Sequence, residues 1–84
     1  MRPVTIYTTT YCPYCVTAKK ILSDHQVPFT EVDVTNADEK RRWLVEVTGQ
    51  RTVPQIFFGD ESIGGCSDLQ AVVKQGQLQN KLAG

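Results

Sequence analysis

The sequence predicts an α/β domain, a four-stranded mixed sheet flanked by helices on both faces. Three observations lead there. Short β-rich runs alternate with helical stripes in the order βαβ, α, ββ, α, before a last short helix. The first two strands are separated by a helix, which makes them parallel with a right-handed crossover. The last two are separated only by Gly59-Asp60, which makes them an antiparallel hairpin.

Val4-Thr5-Ile6-Tyr7 is a short buried strand, and the polar run Thr8–Tyr11 turns out of it. A helix over Tyr14–Ser23 follows, with Val16, Ala18, Ile21 and Leu22 as its apolar stripe and Lys19 and Lys20 on the wet side. Asp24-His25-Gln26 closes it, and Val27-Pro28 enforces extended backbone. Phe29–Val34 alternates as a second strand, with Thr30, Val32 and Val34 facing one way. Thr35 or Asn36 caps the next helix, and Asp38 and Glu39 lie in its favourable acidic first turn. Trp43, Leu44 and Val47 form its buried stripe, with Trp43 in the core, and Gly49 stops it. Gln55–Phe58 and Glu61–Ile63 are the hairpin strands. Gly64-Gly65 leads to a helix over Ser67–Lys74 with Leu69, Val72 and Val73 on one face, and Gln77–Leu82 is the last helix.

Eighty-four residues suit one domain, 1–84, near the small end of what folds unaided. Nine basic residues balance nine acidic ones, so no basic field draws in nucleic acid or anionic lipid. Apolar runs are only a few residues long, so no membrane span is expected. Met1-Arg2-Pro3-Val4 lacks an apolar signal core, and the expectation is a cytoplasmic protein. Three cysteines do not suit a secreted disulfide scaffold. A closed zinc site needs four ligands; beside Cys66 and His25 only Cys12 and Cys15 have ligand spacing, so no metal is expected.

Cys12-Pro13-Tyr14-Cys15 carries the chemistry. Two thiols three positions apart, after an apolar strand, read as a redox dithiol at a strand-to-helix junction. If Pro13 and Tyr14 open the helix, the two Cys lie about one turn apart, within disulfide reach. Cys12 then sits at the helix N-terminus, where free N–H groups and the dipole favour the attacking thiolate, with Lys19 as a second contributor. Pro13 suits the first turn, where its missing N–H costs little. Cys15 lies deeper and is the more shielded thiol. Tyr14 either packs against a bound peptide or covers the dithiol. Pro54 is on its own evidence either a cis proline or an ordinary strand entry. Gly64-Gly65 permits positive φ and close approach of a ligand backbone. Cys66-Ser67-Asp68 opens a helix whose N–H groups face any nearby carboxylate, though Ser67 or Asp68 also reads simply as a cap. His25, at the end of the first helix, reads as structural.

Cys12-Pro13-Tyr14-Cys15, then Thr52-Val53-Pro54, then Gly64-Gly65-Cys66-Ser67-Asp68 resemble the motifs of dithiol glutaredoxins, across essentially the whole chain. The short bacterial type with an additional Cys in the third motif is the nearest likeness. The resemblance implies a thioredoxin-like fold and a glutathione-dependent thiol-disulfide oxidoreductase. Cys12 would be the nucleophile and Cys15 the resolving thiol, joined as a redox disulfide in the oxidised form. A potential of about −200 to −230 mV is usual for such proteins. Glutathione would be co-substrate, with no tightly bound cofactor. Disulfide-bearing or glutathionylated proteins, ribonucleotide reductase among the candidates, would be partners of a monomer, and glutathione reductase an indirect one.

The resemblance further implies a cis bond at Pro54, with the Val53 backbone pairing like a strand with glutathione's cysteine. Thr52 and Gly65 would line the same site, Tyr14 would flank it, Cys66 and Ser67 N–H would hold the γ-glutamyl carboxylate, and Asp68 its ammonium. Cys66 sulfur is open to two readings, a regulatory disulfide or a bystander. The family usually has a Lys where this chain has Thr9, so the glycine carboxylate falls to Arg41, with Arg51 or Lys19 assisting. Three rival readings follow. Recharging by thioredoxin reductase is opposed by the Gly64–Asp68 motif. A glutathione-ligated iron–sulfur carrier is opposed by Pro13, which stiffens the turn, and by Cys15, which offers a competing disulfide. A redox-inert interaction module would leave two well-spaced thiols idle.

Overall fold

A computed structural model describes residues 1–84. In chain order it has β1 (Val4–Thr8), α1 (Pro13–Asp24), β2 (Thr30–Asp33), α2 (Asp38–Thr48), β3 (Gln55–Phe58), β4 (Glu61–Gly64), α3 (Cys66–Lys74) and α4 (Leu78–Ala83). The sheet order is β2-β1-β3-β4. β1 pairs parallel with β2, Thr5 opposite Thr30, and antiparallel with β3, Tyr7 opposite Gln55. β3 and β4 form the antiparallel hairpin, with an irregularity between Ile56 and Phe57. This is the expected mixed sheet.

The alternation of β1 decides which helices cover which face. Val4 and Ile6 are buried with Ala18 and Leu22 of α1, Ile56 and Phe58 of β3, Leu69 and Val72 of α3, and Leu78 and Leu82 of α4. Fully burying one such Leu side chain is worth about 1.5–3 kcal/mol. Tyr7 points the other way, towards a smaller cluster of Val34, Leu44 of α2 and Phe57. Helices therefore lie on both faces, with the larger core under α1, α3 and α4.

Several local expectations are corrected. Val16 is exposed, and Cys15 joins Ala18 and Leu22 on the core side of α1. Positions i, i+3 and i+7 share one helix face, and Val16 falls off it. Trp43 is not core: it is 39% exposed, and Val47 is also open. The Trp43 ring rests on Tyr7 and Phe57, at 5.6 and 5.9 Å between centroids, with Lys40 Nζ 5.1 Å from its own centroid. A single helix covers this face, which leaves the aromatics at its edge half-open. Neither Thr35 nor Asn36 caps α2; the cap position is Ala37, without a side-chain bond. Thr35 Oγ1 instead accepts from Thr10 N–H at 2.8 Å and donates to Asp33 Oδ1 at 2.6 Å. Gly49 closes α2 as expected, at φ 71° with its N–H on Val45 carbonyl. β2 is shorter than the predicted Phe29–Val34, and α3 begins one residue before the expected Ser67.

Candidate active site

Strand direction brings the three motifs together. β1 ends where its antiparallel neighbour β3 begins, and β4 ends beside the start of β3, with Gly64 opposite Ile56. The dithiol after β1, Val53-Pro54 before β3 and Gly64–Asp68 after β4 thus meet at one edge of the sheet.

Cys12 is the N-cap of α1. Its backbone is extended, Pro13 occupies the first turn, and Cys12 Sγ accepts the Cys15 backbone N–H at 3.1 Å. A free helix N–H aimed at sulfur, together with the dipole, favours thiolate over thiol once the sulfur is reduced. Cys12 and Cys15 are joined as a disulfide, their Cα atoms 5.1 Å apart. Cys12 is half-buried at the surface, whereas Cys15 is 2% exposed. Lys19 does not serve the sulfur. Its Nζ pairs with Glu31 at 3.0 Å, and Glu31 also accepts from buried Thr8 at 2.8 Å. The Thr8 hydroxyl first, then Lys19, holds the Glu31 carboxyl below the usual carboxylate range. His25 is the C-cap of α1, at the far end from the dithiol.

Cys12 Sγ lies 3.5 Å from the Val53 carbonyl oxygen; Val53 in turn lines a cleft of about 680 Å³, which Cys12 itself does not line. The Val53-Pro54 bond is cis. Tyr14, 69% exposed, forms one wall with Arg51, Thr52 and Val53. Gly65, Cys66, Ser67 and Asp68 form the other. A Cβ on Gly65 would stand 3.4 Å from the Pro54 carbonyl, at contact distance, so the second and third motifs lie against each other here. Gly64 is at φ 108°, and a Cβ there would collide with the Asp68 carboxylate. That carboxylate accepts Gly65 N–H through Oδ2 at 2.9 Å. The cap of α3 is Gly65, so Ser67 is not the cap, and Asp68 reaches back from the third helical position. Burial pushes the Cys66 thiol up, which disfavours its thiolate.

Arg41 does not line this cleft. It borders a second cavity, of about 240 Å³, that shares Gln50, Arg51, Thr52 and Val53 with the first. Arg51 reaches both and Thr9 lines neither. Gln50 and Gln70 of the cleft and Arg42 of the second cavity had no sequence motif to mark them. Gln70 could have been found as the residue one turn after Cys66 on the same helix. Gln55 was also missed. It is fully buried, and its Nε2 donates to Thr52 carbonyl at 2.8 Å and Gln50 Oε1 at 3.1 Å, holding the loop that carries Arg51 and Val53. A lone polar residue at the head of an apolar strand was its signal.

A glutaredoxin family model matches residues 4–63. A glutaredoxin of Pseudomonas aeruginosa is 43% identical over 83 residues, spanning 99% of both chains. Glutaredoxin 3 of Escherichia coli is 44% identical over 78 residues, covering 93% of this chain and 94% of its own. Among solved structures, a buckwheat glutaredoxin–glutathione complex superposes with a TM-score of 0.91 at 30% identity, covering 98% of this chain and 77% of that one. The Brucella melitensis glutaredoxin gives 0.88 at 40% identity, covering 100% of this chain and 94% of that one.

Proposed function

The chain belongs to the glutaredoxin family and is a glutathione-dependent thiol-disulfide oxidoreductase; from that premise we propose how its residues divide the work. Cys12 thiolate attacks the glutathione sulfur of a glutathionylated protein. The old S–S bond breaks, the protein leaves as thiolate and takes a proton, and Cys12 carries glutathione as a mixed disulfide. A second glutathione thiolate attacks that glutathionyl sulfur, releasing oxidised glutathione and restoring Cys12. On a protein disulfide, Cys12 first forms a mixed disulfide with the substrate. Cys15 thiolate then attacks Cys12 sulfur, expelling the reduced substrate and leaving a Cys12–Cys15 bond. Two glutathione molecules return that bond to the dithiol. Glutathione is a co-substrate, with no tightly bound redox group, and a glutathione reductase regenerates it elsewhere.

The observation that carries this reading is the N-capped sulfur of Cys12, facing Val53 carbonyl at the cleft formed by the second and third motifs. Glutathione lies with its cysteine against the Val53 backbone, its γ-glutamyl carboxylate on Cys66 and Ser67 N–H at the start of α3, and its ammonium on Asp68. Its glycine carboxylate meets Arg51 and, across the shared loop, Arg41. Tyr14 flanks the bound peptide. The glutathione complex of the buckwheat relative supports this ligand choice.

The test is deglutathionylation of a glutathionylated peptide by Cys15→Ser protein, with glutathione and glutathione reductase supplied. Cys15 contributes its backbone N–H to Cys12, and serine keeps that N–H, so a high rate is expected while the two-Cys reduction of protein disulfides is lost. Cys12→Ser abolishes both. No turnover by a folded Cys15→Ser protein with a reactive Cys12 would overturn the glutathione site and point to thioredoxin reductase as electron source.

A further inference from the structure

A second cavity adjoins the proposed glutathione cleft and shares Gln50, Arg51, Thr52 and Val53 with it; it is further lined by Leu44 and Val45 and bordered by Arg41 and Arg42 of α2. The chain has no net charge, yet three guanidiniums (Arg41, Arg42 and Arg51) gather here with one carboxylate, Asp38. The ion pairs of the structure engage Arg2, Lys19, Lys20 and Lys81. None engages these three arginines. Like charges on one wall repel, so their convergence without an internal partner suits an external anion. Guanidinium forks match carboxylates, often in two-pronged pairs.

Glutathione brings a single carboxylate to this end, and Arg41 and Arg51 suffice for it. Arg42 is left over. A polypeptide bound in the same direction does not stop at that point. Each further residue advances it by about 3.3 Å, so the next two carry their side chains along the second cavity. We propose that this arginine-lined extension reads acidic residues two or three positions after the reacting cysteine of a polypeptide substrate, so that disulfides in acidic sequence are preferred. The proposal rests on the reading of the cleft as the glutathione site, because pairing at Val53 fixes the direction in which the polypeptide leaves.

The test is an exchange equilibrium on Cys15→Ser protein loaded with glutathione at Cys12. A peptide thiolate attacks Cys12 sulfur; one S–S bond breaks, another forms, and the thiol proton passes from peptide to released glutathione. Two peptides are compared, acetyl-Ala-Cys-Gly-Glu-Glu-amide and its Gln-Gln counterpart, and the products are weighed by mass spectrometry. The expected preference for the acidic peptide is about fivefold at low salt, the scale of exposed charge pairs. It should fall towards unity at about 1 M salt. Adding Arg42→Gln should reduce it without moving the neutral peptide's constant, and Arg42→Lys should keep most of it. Equal constants for the two peptides, or a preference undiminished by Arg42→Gln, would overturn the proposal. Glutathione competed against 2-mercaptoethanol in the same protein reads the underlying site separately. If glutathione holds no advantage there, the glutathione site fails, and the peptide ratio still decides the acidic preference.

Discussion

Asp68 is assigned two tasks, and two substitutions separate them. Its Oδ2 accepts Gly65 N–H at 2.9 Å at the start of α3, and its side chain also lines the cleft where glutathione's ammonium is placed. Asp68→Ala removes both the acceptor and the charge. A lost N-terminal helix cap costs about 1 kcal/mol, and a domain of this length loses about 4–8 °C of Tm for each kcal/mol. Asp68→Asn keeps an acceptor oxygen and gives up only the favourable charge at the helix N-terminus, about 0.5 kcal/mol, so its Tm should fall by about half as much. Both variants lose the partner of the ammonium. An exposed charge pair is worth about 1 kcal/mol at most, so KM for the glutathionylated peptide should rise by up to about fivefold, to the same extent in both, with kcat held. The assays are thermal unfolding by circular dichroism and steady-state deglutathionylation. Equal Tm losses would refute the capping role. Unchanged KM in a stable Asp68→Asn protein would leave Asp68 as a helix cap alone.

Two further predictions concern the surroundings of Cys12. The Asp33 carboxyl is held below the usual range, first by the Thr35 hydroxyl and then by Thr35 N–H, and Thr35 in turn holds Thr10 N–H, two residues before Cys12. A depressed carboxylate gives stability that is complete well above its unfolded pKa and is lost as pH falls through the folded value. Thr35→Val should therefore lower Tm most at pH 7, and the gap to the parent should shrink below about pH 4; a gap that widens in acid would contradict the assigned bond. Cys66→Ser keeps the backbone N–H at the start of α3, so deglutathionylation should stay near the parent rate, and iodoacetamide at pH 7 on reduced protein should label Cys12 well before the buried Cys66. Comparable labelling of the two would show that Cys66 is not the shielded thiol that its burial describes.

The sheet was legible because its order follows from connection lengths. A helix between β1 and β2 requires parallel strands, and two residues between β3 and β4 require a hairpin. Once β3 lies antiparallel beside β1, the residues after β1, before β3 and after β4 share an edge, so motifs far apart in sequence had to meet. Helix phase was less legible. Val16 and Trp43 are apolar enough for a core, but α1 turns Cys15 inward, and α2 alone covers its face and leaves Trp43 at the margin. Thr35 looked like a cap because of its type and position. Its hydroxyl is instead committed to Thr10 and Asp33, contacts that exist only when β2 lies beside β1.

Charge was the least legible level. A sum of zero over the chain excludes a global field and says nothing about a local one. In the sequence, Arg41 and Arg51 stand out only through the resemblance, as candidates for glutathione's glycine carboxylate, and nothing there brings Arg42 to them. The fold sets α2 beside the Gln50–Val53 loop, a loop braced from beneath by Gln55, and three arginines border one cavity. Thr9, where the resemblance led to the expectation of a lysine, lines neither cavity, and the positive charge bordering the two cavities is that of Arg51 and of Arg41 and Arg42 in the first half of α2. A cation beside the dithiol would act on every anionic thiol or disulfide that approached. Arg51, which borders both cavities, can act on any ligand of the cleft, whereas Arg42, which borders only the second, can act only on a ligand that reaches past the shared loop.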